Sequence, residues 1–233
     1  ASEYMGFASI DEFMFAYYTH AGAVREILRR IAEACIDEPL EIEPGVVSIG
    51  GFLNVIDTGL LERDSASAVR LFRHCQNYSL HMHRKARNLV RKHSASWSME
   101  RKAAKVFIDI LSSPGFSTCV RDMADCGLLQ VIMPNFCKLM LLIPGDSAHK
   151  YTIGEHSLRV LEELEILISD ESEQFGDILS RLQNLEVLTL AGLLHDVGKI
   201  DSKKDHAKTG APRAAKFAKK LGMDDDSAKR VES

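Results

Sequence analysis

The sequence lacks the long apolar runs, the paired cysteines and the charge excess that mark several large classes of protein. No uncharged apolar run reaches about 18 residues, so we expect no membrane-spanning helix. The first residues show neither the basic start nor the apolar stretch of a secretory signal peptide. A net charge of −4 and a pI near 6.2 give no general reason to expect nucleic-acid binding. We therefore expect a cytoplasmic protein with neither membrane nor nucleic acid as a partner.

The cysteines also exclude a disulfide framework. There are five, scattered along the chain without a C-x-x-C pair: Cys35, Cys75, Cys119, Cys126 and Cys137. Their odd number and spacing predict reduced, mostly buried thiols. What the sequence does have is 233 residues, of which 45% are hydrophobic and 27% charged. Such a chain is long enough to bury a sizeable core and is typical of a globular protein.

The spacing of apolar residues predicts an all-α chain with a small β insertion. Helical periodicity is found over 11–36, 64–78, 83–94, 98–112 and 117–126. Prolines and glycines interrupt the pattern over 40–56, where we expect a loop or small hairpin. Pro114 should end the fourth helix, and Gly127 suits a left-handed residue after the fifth. We expect a helical region over 1–144 and a second helical domain over 145–233.

Residues 81–105 form a strongly basic segment. Against the single acid Glu100 it carries Arg84, Lys85, Arg87, Arg91, Lys92, Arg101, Lys102 and Lys105. One interpretation is an anion-binding surface for an acidic partner or a nucleotide. The other is a solvated helix face, which is the more common reason for such charge runs.

Residues that carry chemistry are concentrated in the last third of the chain. Thr152 and Glu155 fit a capping box, so a helix should begin there with His156 in its first turn. Because Val160, Leu164 and Leu167 follow at helical spacing, we expect His156 to face the core.

The stretch 185–200 is apolar nearly all round, which predicts a buried helix that ends in His195 and Asp196. An unpaired buried carboxylate is costly or becomes neutral, so metal coordination is a favourable way to hold both groups. Gly192 and Gly198 would let neighbouring helices approach closely. Lys199 follows four residues after His195, where its ammonium could contact a phosphate.

A further histidine begins the next predicted helix. Asp205 can cap a helix over 206–221, which places His206 at its start, facing back toward His195. One core-facing histidine is more often a hydrogen-bonded structural group than a ligand. Three histidines and an aspartate at helix ends of one unit instead favour a metal site, for which Mn, Fe, Zn and Mg are all suitable.

These residues resemble a known superfamily. His156 followed by His195-Asp196-Val197-Gly198-Lys199 resembles the HD metal-dependent phosphohydrolases. The stretches 11–18, 121–129, 132–136 and 149–158 are similar to one family, the bifunctional uridylyltransferase/uridylyl-removing enzymes that modify the PII nitrogen-signalling protein. The motif H-x-Y-T-x-x-E-H, at 149–156, is specific to that family, whereas HD-x-G-K alone indicates only the superfamily.

The resemblance implies a ligand set and a reaction. His156, His195, Asp196 and His206 would be metal ligands or their close neighbours, with Mn or Mg as the first choice and Fe or Zn as alternatives. The implied reaction is hydrolysis of uridylyl-tyrosine on PII to tyrosine and UMP. We assign catalytic roles to Asp196 and Lys199, the latter at the phosphate oxygens. His149 and Asp205 are expected behind the ligands or against the substrate.

The sequence also departs from that family. No Gly-Ser motif with a D-x-D pair occurs, because Gly50-Gly51 is followed only by Asp57, so we expect no nucleotide transfer. The residues 200–204 replace a glycine-rich loop. The helix with the family's final aspartate ligand would follow Ser233, so we expect an HD domain that is incomplete at its C-terminal end.

Two alternatives to the uridylyl-removing activity stay open. One is an HD hydrolase of a small nucleotide, which would prefer free nucleotides to a modified protein. The other is a non-catalytic regulatory or interaction module with an incomplete metal site.

Overall fold

The computed structural model describes residues 38–63, 65–143, 151–169, 184–200 and 206–232, with four isolated positions before residue 38. The helix predicted over 11–36 falls almost wholly outside these residues, as does the proposed boundary between 144 and 145. Within the described ranges, no helix is both long and apolar enough to cross a bilayer.

The first part of the described chain is mainly helical, as predicted. Its helices are α1 (Leu60–Arg63), α2 (Ser65–Asn77), α3 (Arg84–Ser94), α4 (Arg101–Leu111), α5 (Phe116–Asp125), α6 (Leu128–Ile132) and α7 (Phe136–Leu141). Gly115 and Gly127 take left-handed φ values of 86° and 76° at the two ends of α5, which side chains with a Cβ rarely adopt. The punctuation that Pro114 and Gly127 indicated is therefore confirmed.

A small sheet occupies the region where a loop or hairpin was predicted. Its strands are β1 (Leu40–Glu43), β2 (Val46–Ile49), β3 (Phe52–Val55) and β4 (His81–Met82). The order is β1-β2-β3-β4, in which the first three strands are antiparallel and β4 is parallel to β3. The two residues of β4 were not predicted, because so short a strand has no periodicity of its own.

The second part of the described chain is also helical. It contains α8 (Ile153–Ser169), α9 (Leu185–Leu194), a 3₁₀ turn (Val197–Ile200), α10 (His206–Leu221) and α11 (Asp225–Glu232). The bounds of α10 agree with the predicted 206–221. The predicted helix end at His195 and Asp196 is confirmed, but the apolar stretch 185–200 is not one helix, because the α-helix ends at Leu194 and the chain resumes as the 3₁₀ turn. This break places His195 and Asp196 between the end of α9 and the start of the 3₁₀ turn.

One apolar core extends through both parts. Phe107 on α4, Phe116 on α5 and Leu161 on α8 are fully buried in a single cluster. Polar contacts also connect the two parts of the chain. The Thr189 hydroxyl on α9 donates to the Leu111 carbonyl on α4 at 3.1 Å. The Glu165 carboxylate on α8 accepts hydrogen bonds from backbone N–H groups and a hydroxyl at the start of α5. The helices that carry the candidate site are thus held by the helices that precede them.

Candidate metal centre

Three of the residues predicted as ligands come together where α8 begins and α9 ends. His156, His195 and Asp196 each offer one nitrogen or oxygen atom, and these atoms all lie within 4.8 Å of one another. The rings of His156 and His195 meet edge to face, with centroids 5.2 Å apart. A helix start and a helix end therefore bring together residues that are about 40 positions apart in the sequence.

The cluster opens to solvent on the side of its histidines. Both histidines are exposed, whereas Asp196 is only 5% exposed. The prediction that His156 faces the core is wrong, because α8 buries a different face, formed by Ile153, Ser157, Leu158 and Leu161. An apolar side chain occurs on nearly every side of α8, so spacing alone selected the wrong face. A solvent-facing histidine pair over a buried carboxylate is accessible to a substrate.

Backbone geometry orients the His195 ring. Its Nδ1 lies 2.8 Å from the Gly192 carbonyl, one turn back on α9. In a neutral ring, Nδ1–H donates to this carbonyl and the lone pair remains on Nε2. Nε2 lies 3.1 Å from the Asp196 Oδ2 atom. The arrangement is the one commonly found for a metal-binding histidine, in which a backbone carbonyl fixes the tautomer.

Asp196 is kept ionised by its neighbours. The Lys199 Nζ atom donates to Oδ2 at 2.8 Å. Burial alone would raise the pKa of the Asp196 carboxyl, but the hydrogen bonds and charges of His195 and Lys199 outweigh it and lower that pKa. When the ring is protonated, its Nε2–H donates to Asp196, and this hydrogen bond raises the pKa of His195, although burial opposes this. The buried oxygen therefore carries negative charge at neutral pH.

The two glycines beside the centre differ in how closely their neighbours pack. A Cβ on Gly198 would lie 1.9 Å from the His206 carbonyl oxygen, so only glycine fits where the 3₁₀ turn meets α10. A Cβ on Gly192 would lie 3.4 Å from a Val160 methyl carbon, where α9 crosses α8. The predicted close approach is confirmed at Gly198, whereas at Gly192 the contact is an ordinary one that an alanine would also allow.

Comparison with known proteins agrees with this geometry. Residues 153–232 match the HD domain family. They form an HD domain. The matched range includes all three clustered residues, and within it His195 and Asp196 form an adjacent His-Asp pair.

Beyond the HD domain, the chain is similar to curated enzymes named bifunctional uridylyltransferase/uridylyl-removing enzyme. The protein of Nitrobacter winogradskyi is 29% identical over 73% of this chain. Those of Ruegeria pomeroyi and Rhodospirillum rubrum are 25% and 26% identical over 97% and 95% of it. The chain spans only 19–27% of the length of these three relatives.

The other predicted site residues that the structure describes are His206 and Lys199. Within the described residues, His206 is not part of the three-residue cluster, although its carbonyl packs on Gly198. Lys199 contacts Asp196 and keeps 26% of its side chain exposed. His149 and Asp205 lie outside the described residues. Two imidazole nitrogens and an ionised carboxylate oxygen nevertheless fit a divalent cation, because these are the donors such ions take in proteins.

Sequence reasoning missed the contacts that hold the first turn of the HD domain. The Thr152 hydroxyl accepts from the Glu155 N–H at 3.2 Å, as the capping box predicts. The Glu155 carboxylate does not complete the box. It accepts from Arg121 on α5 at 3.1 and 3.2 Å and from Arg159 at 3.1 Å. Arg121 and Glu155 both lie in the stretches that resemble the uridylyl-removing family, but nothing in the sequence indicates that they pair.

Proposed function

We propose that this chain carries the hydrolase centre of a uridylyl-removing enzyme, which cleaves uridylyl-tyrosine on a PII-type protein to tyrosine and UMP. The observation that supports it is the meeting of His156, His195 and Asp196 inside an HD domain. The names of the similar enzymes support the choice of substrate. The free, buried thiols of Cys75, Cys119 and Cys126 suit a reducing compartment, so we place the protein in the cytoplasm.

His156, His195 and Asp196 would hold a divalent cation, with Mn or Mg as our first choice. When bound, such an ion supplies charge neutralisation to a phosphodiester. The chain's own residues prepare the position: the Gly192 carbonyl fixes the His195 tautomer, and Lys199 keeps Asp196 ionised. We retain His206, His149 and Asp205 as proposed neighbours of this centre.

Lys199 is proposed to act at the phosphate oxygens. Its ammonium is anchored on Asp196 but partly exposed, so it can donate its remaining protons toward an anion beside the histidines. The leaving group is a tyrosyl oxygen with an unperturbed pKa of about 10, which departs more easily than an aliphatic alkoxide.

The decisive experiment measures Mn-dependent UMP release from uridylylated PII by this chain. We expect release by the wild type and by the control His81→Ala, whose exposed histidine lies on β4 away from the centre. The double variant His195→Ala/Asp196→Ala should release none. Circular dichroism of each variant checks that the fold is kept.

Two parallel assays separate the alternatives. Faster hydrolysis of free nucleotides than of uridylylated PII would favour a small-nucleotide hydrolase. No turnover of either substrate, even when calorimetry shows bound Mn²⁺, would contradict the enzymatic proposal and favour a regulatory module.

A further inference from the structure

A cationic groove lies beside the metal centre but separate from it. The groove encloses about 520 Å³ between the turn that precedes α7, the end of the 3₁₀ turn and one face of α10. Its 3₁₀ edge is Ile200, whose backbone lies four residues, or roughly 8 Å of rise, beyond that of Asp196. Apart from this turn, the groove uses residues that the metal centre does not. We define the cationic groove by Asn135, Lys138, Arg213, Lys216, Phe217 and Lys220.

The groove concentrates positive charge. Four of its six defining residues are cations, and no carboxylate lines it among the residues that the structure describes. Lys138, Lys216 and Lys220 form no ion pair within the described ranges. Lys219, on the same helix but outside the groove, pairs with Asp225 at 2.7 Å. These three lysines share the concave face, where an anion would relieve their mutual repulsion.

The spacing of these cations suits a compact, multiply charged ligand. Arg213, Lys216 and Lys220 follow one another at i, i+3 and i+7, so they share one face of α10. The row is about 10 Å long, since an α-helix rises about 1.5 Å per residue. That length matches a chain of two or three linked phosphates. A nucleic acid strand would gain from a longer basic track than this.

The groove also offers an apolar platform. Phe217 is half-buried in its wall, and a smaller apolar cavity of about 70 Å³ continues past this ring toward Leu194 and Val197. Asn135 lies at the rim, and its side chain makes no capping hydrogen bond to α7. A flat ring could stack on Phe217 while the Asn135 amide, both donor and acceptor, meets the edge of a base.

We propose that the cationic groove binds a nucleoside di- or triphosphate as an effector, independently of the hydrolase centre. Its volume falls within the range of small-molecule sites, about 300–1,000 Å³. Its four cations match the three to four negative charges of such a polyphosphate, while Phe217 and Asn135 receive the base. The product of the proposed hydrolysis carries a single phosphate, so the groove is not the place for that product.

The test is calorimetric titration of the whole chain in EDTA with ATP, inorganic triphosphate and adenosine. We expect ATP to bind, inorganic triphosphate to bind more weakly, and adenosine not to bind detectably. Lys216→Ala/Lys220→Ala should weaken ATP binding at least about tenfold. The control Lys219→Ala/Lys229→Ala removes the same charge from exposed positions on α10 and α11 outside the groove and should leave the affinity unchanged.

A second variant tests the platform. Phe217→Leu should weaken ATP binding but leave the affinity for inorganic triphosphate unchanged, since only the base loses its contact. Thermal melts confirm that each variant folds.

Several results would overturn the proposal. These are no ATP binding at about 1 mM, equal losses in the groove and control variants, or tighter binding of single-stranded RNA or an acidic peptide that depends on Lys216 and Lys220. The last result would assign the same groove to a macromolecular partner instead.

Discussion

At the scale of single residues, the surroundings of a group determine its reactivity. Asp196 is buried and yet ionised, because a lysine and a histidine contact one of its oxygens. The cysteines show the effect of burial on a single kind of group, because their thiols differ mainly in how buried they are. Cys75, Cys119 and Cys126 are buried, whereas Cys137 is exposed, so the prediction of mostly buried thiols is confirmed for the described cysteines; Cys35 lies outside the described residues.

This difference predicts selective labelling. Burial raises the pKa of the Cys126 thiol to about 11 and that of Cys119 to about 12. At pH 8, a maleimide should therefore modify Cys137 within minutes and spare Cys75, Cys119 and Cys126 until the chain is unfolded. Peptide mass mapping against a guanidinium-treated control measures each site. Modification of Cys119 at the native rate of Cys137 would show that the α5 region opens readily.

The sequence was informative about which residues cluster and less so about how exposed they are. His195 and Asp196 were identifiable because an adjacent polar pair at the end of an apolar stretch is costly to bury without a compensating partner. The exposure of His156 could not be identified from the sequence, since its orientation depends on which face of α8 the tertiary contacts bury. Cys137 lies in the short helix α7, which has too few residues for the spacing of its apolar side chains to define a buried face.

At the scale of elements, the structure depends on close approaches between helices. Gly198→Ala would place a methyl group against the backbone of His206 and Gly210, neither of which can rotate away. We expect a loss of about 2–3 kcal/mol in the free energy of unfolding, as for overpacked cores. The matched control is Gly192→Ala, where the new methyl meets only side-chain atoms, at 3.4 and 3.6 Å. In a helix interior that change should be neutral or stabilising by up to about 1 kcal/mol.

Urea unfolding of the three proteins measures these differences. Equal stability of the Gly198→Ala variant and the wild type would mean that the 3₁₀ turn can move away from α10. We also expect the Gly198→Ala variant to bind Mn²⁺ more weakly than the wild type, because the 3₁₀ turn follows directly after Asp196.

A second prediction concerns the join between α5 and α8. Arg121 donates to both Glu155 and Glu162, and the side chains of Arg121 and Glu155 are 29% and 25% exposed. Arg121→Met should cost about 1–3 kcal/mol, because two half-buried carboxylates lose a charged donor. Arg159→Met removes another donor to Glu155 from a side chain that is 47% exposed, and should cost under about 0.5 kcal/mol.

A double-mutant cycle of Arg121→Met with Glu155→Gln isolates the pair. A coupling energy near zero would mean that the contact does not stabilise the first turn of the HD domain. These contacts lie beyond prediction from one sequence, since 34 residues separate Arg121 from Glu155. Helix bounds were predictable because periodicity and capping are local, as the agreement over 206–221 shows.

At the scale of the whole molecule, metal binding should be visible as stability. An ion held by the folded state alone and present at 100 times its dissociation constant stabilises by about 2.7 kcal/mol. For a chain of this size, that corresponds to a rise of about 5–10 °C in the unfolding midpoint. We expect Mn²⁺ to produce this rise in the wild type and in His81→Ala, and EDTA to reverse it.

The comparison variant is His195→Ala/Asp196→Ala, which lacks two of the three clustered donors. Differential scanning calorimetry should show no metal-dependent rise in its midpoint. The same rise in this variant would place the bound ion elsewhere in the molecule and would contradict the candidate metal centre.

The contacts that cross between α4, α5 and the HD domain have a practical consequence for dissecting this protein. Sequence similarity suggests a cut just before residue 153, where the family match begins. Such a truncation would strip Leu158, Leu161 and Leu190 of part of their buried packing and leave the Glu165 carboxylate without the start of α5. The isolated fragment would expose a broad apolar surface to water and should aggregate when expressed alone. The smallest piece suited to biochemistry therefore retains the preceding helices, although they contribute no atom to the metal centre.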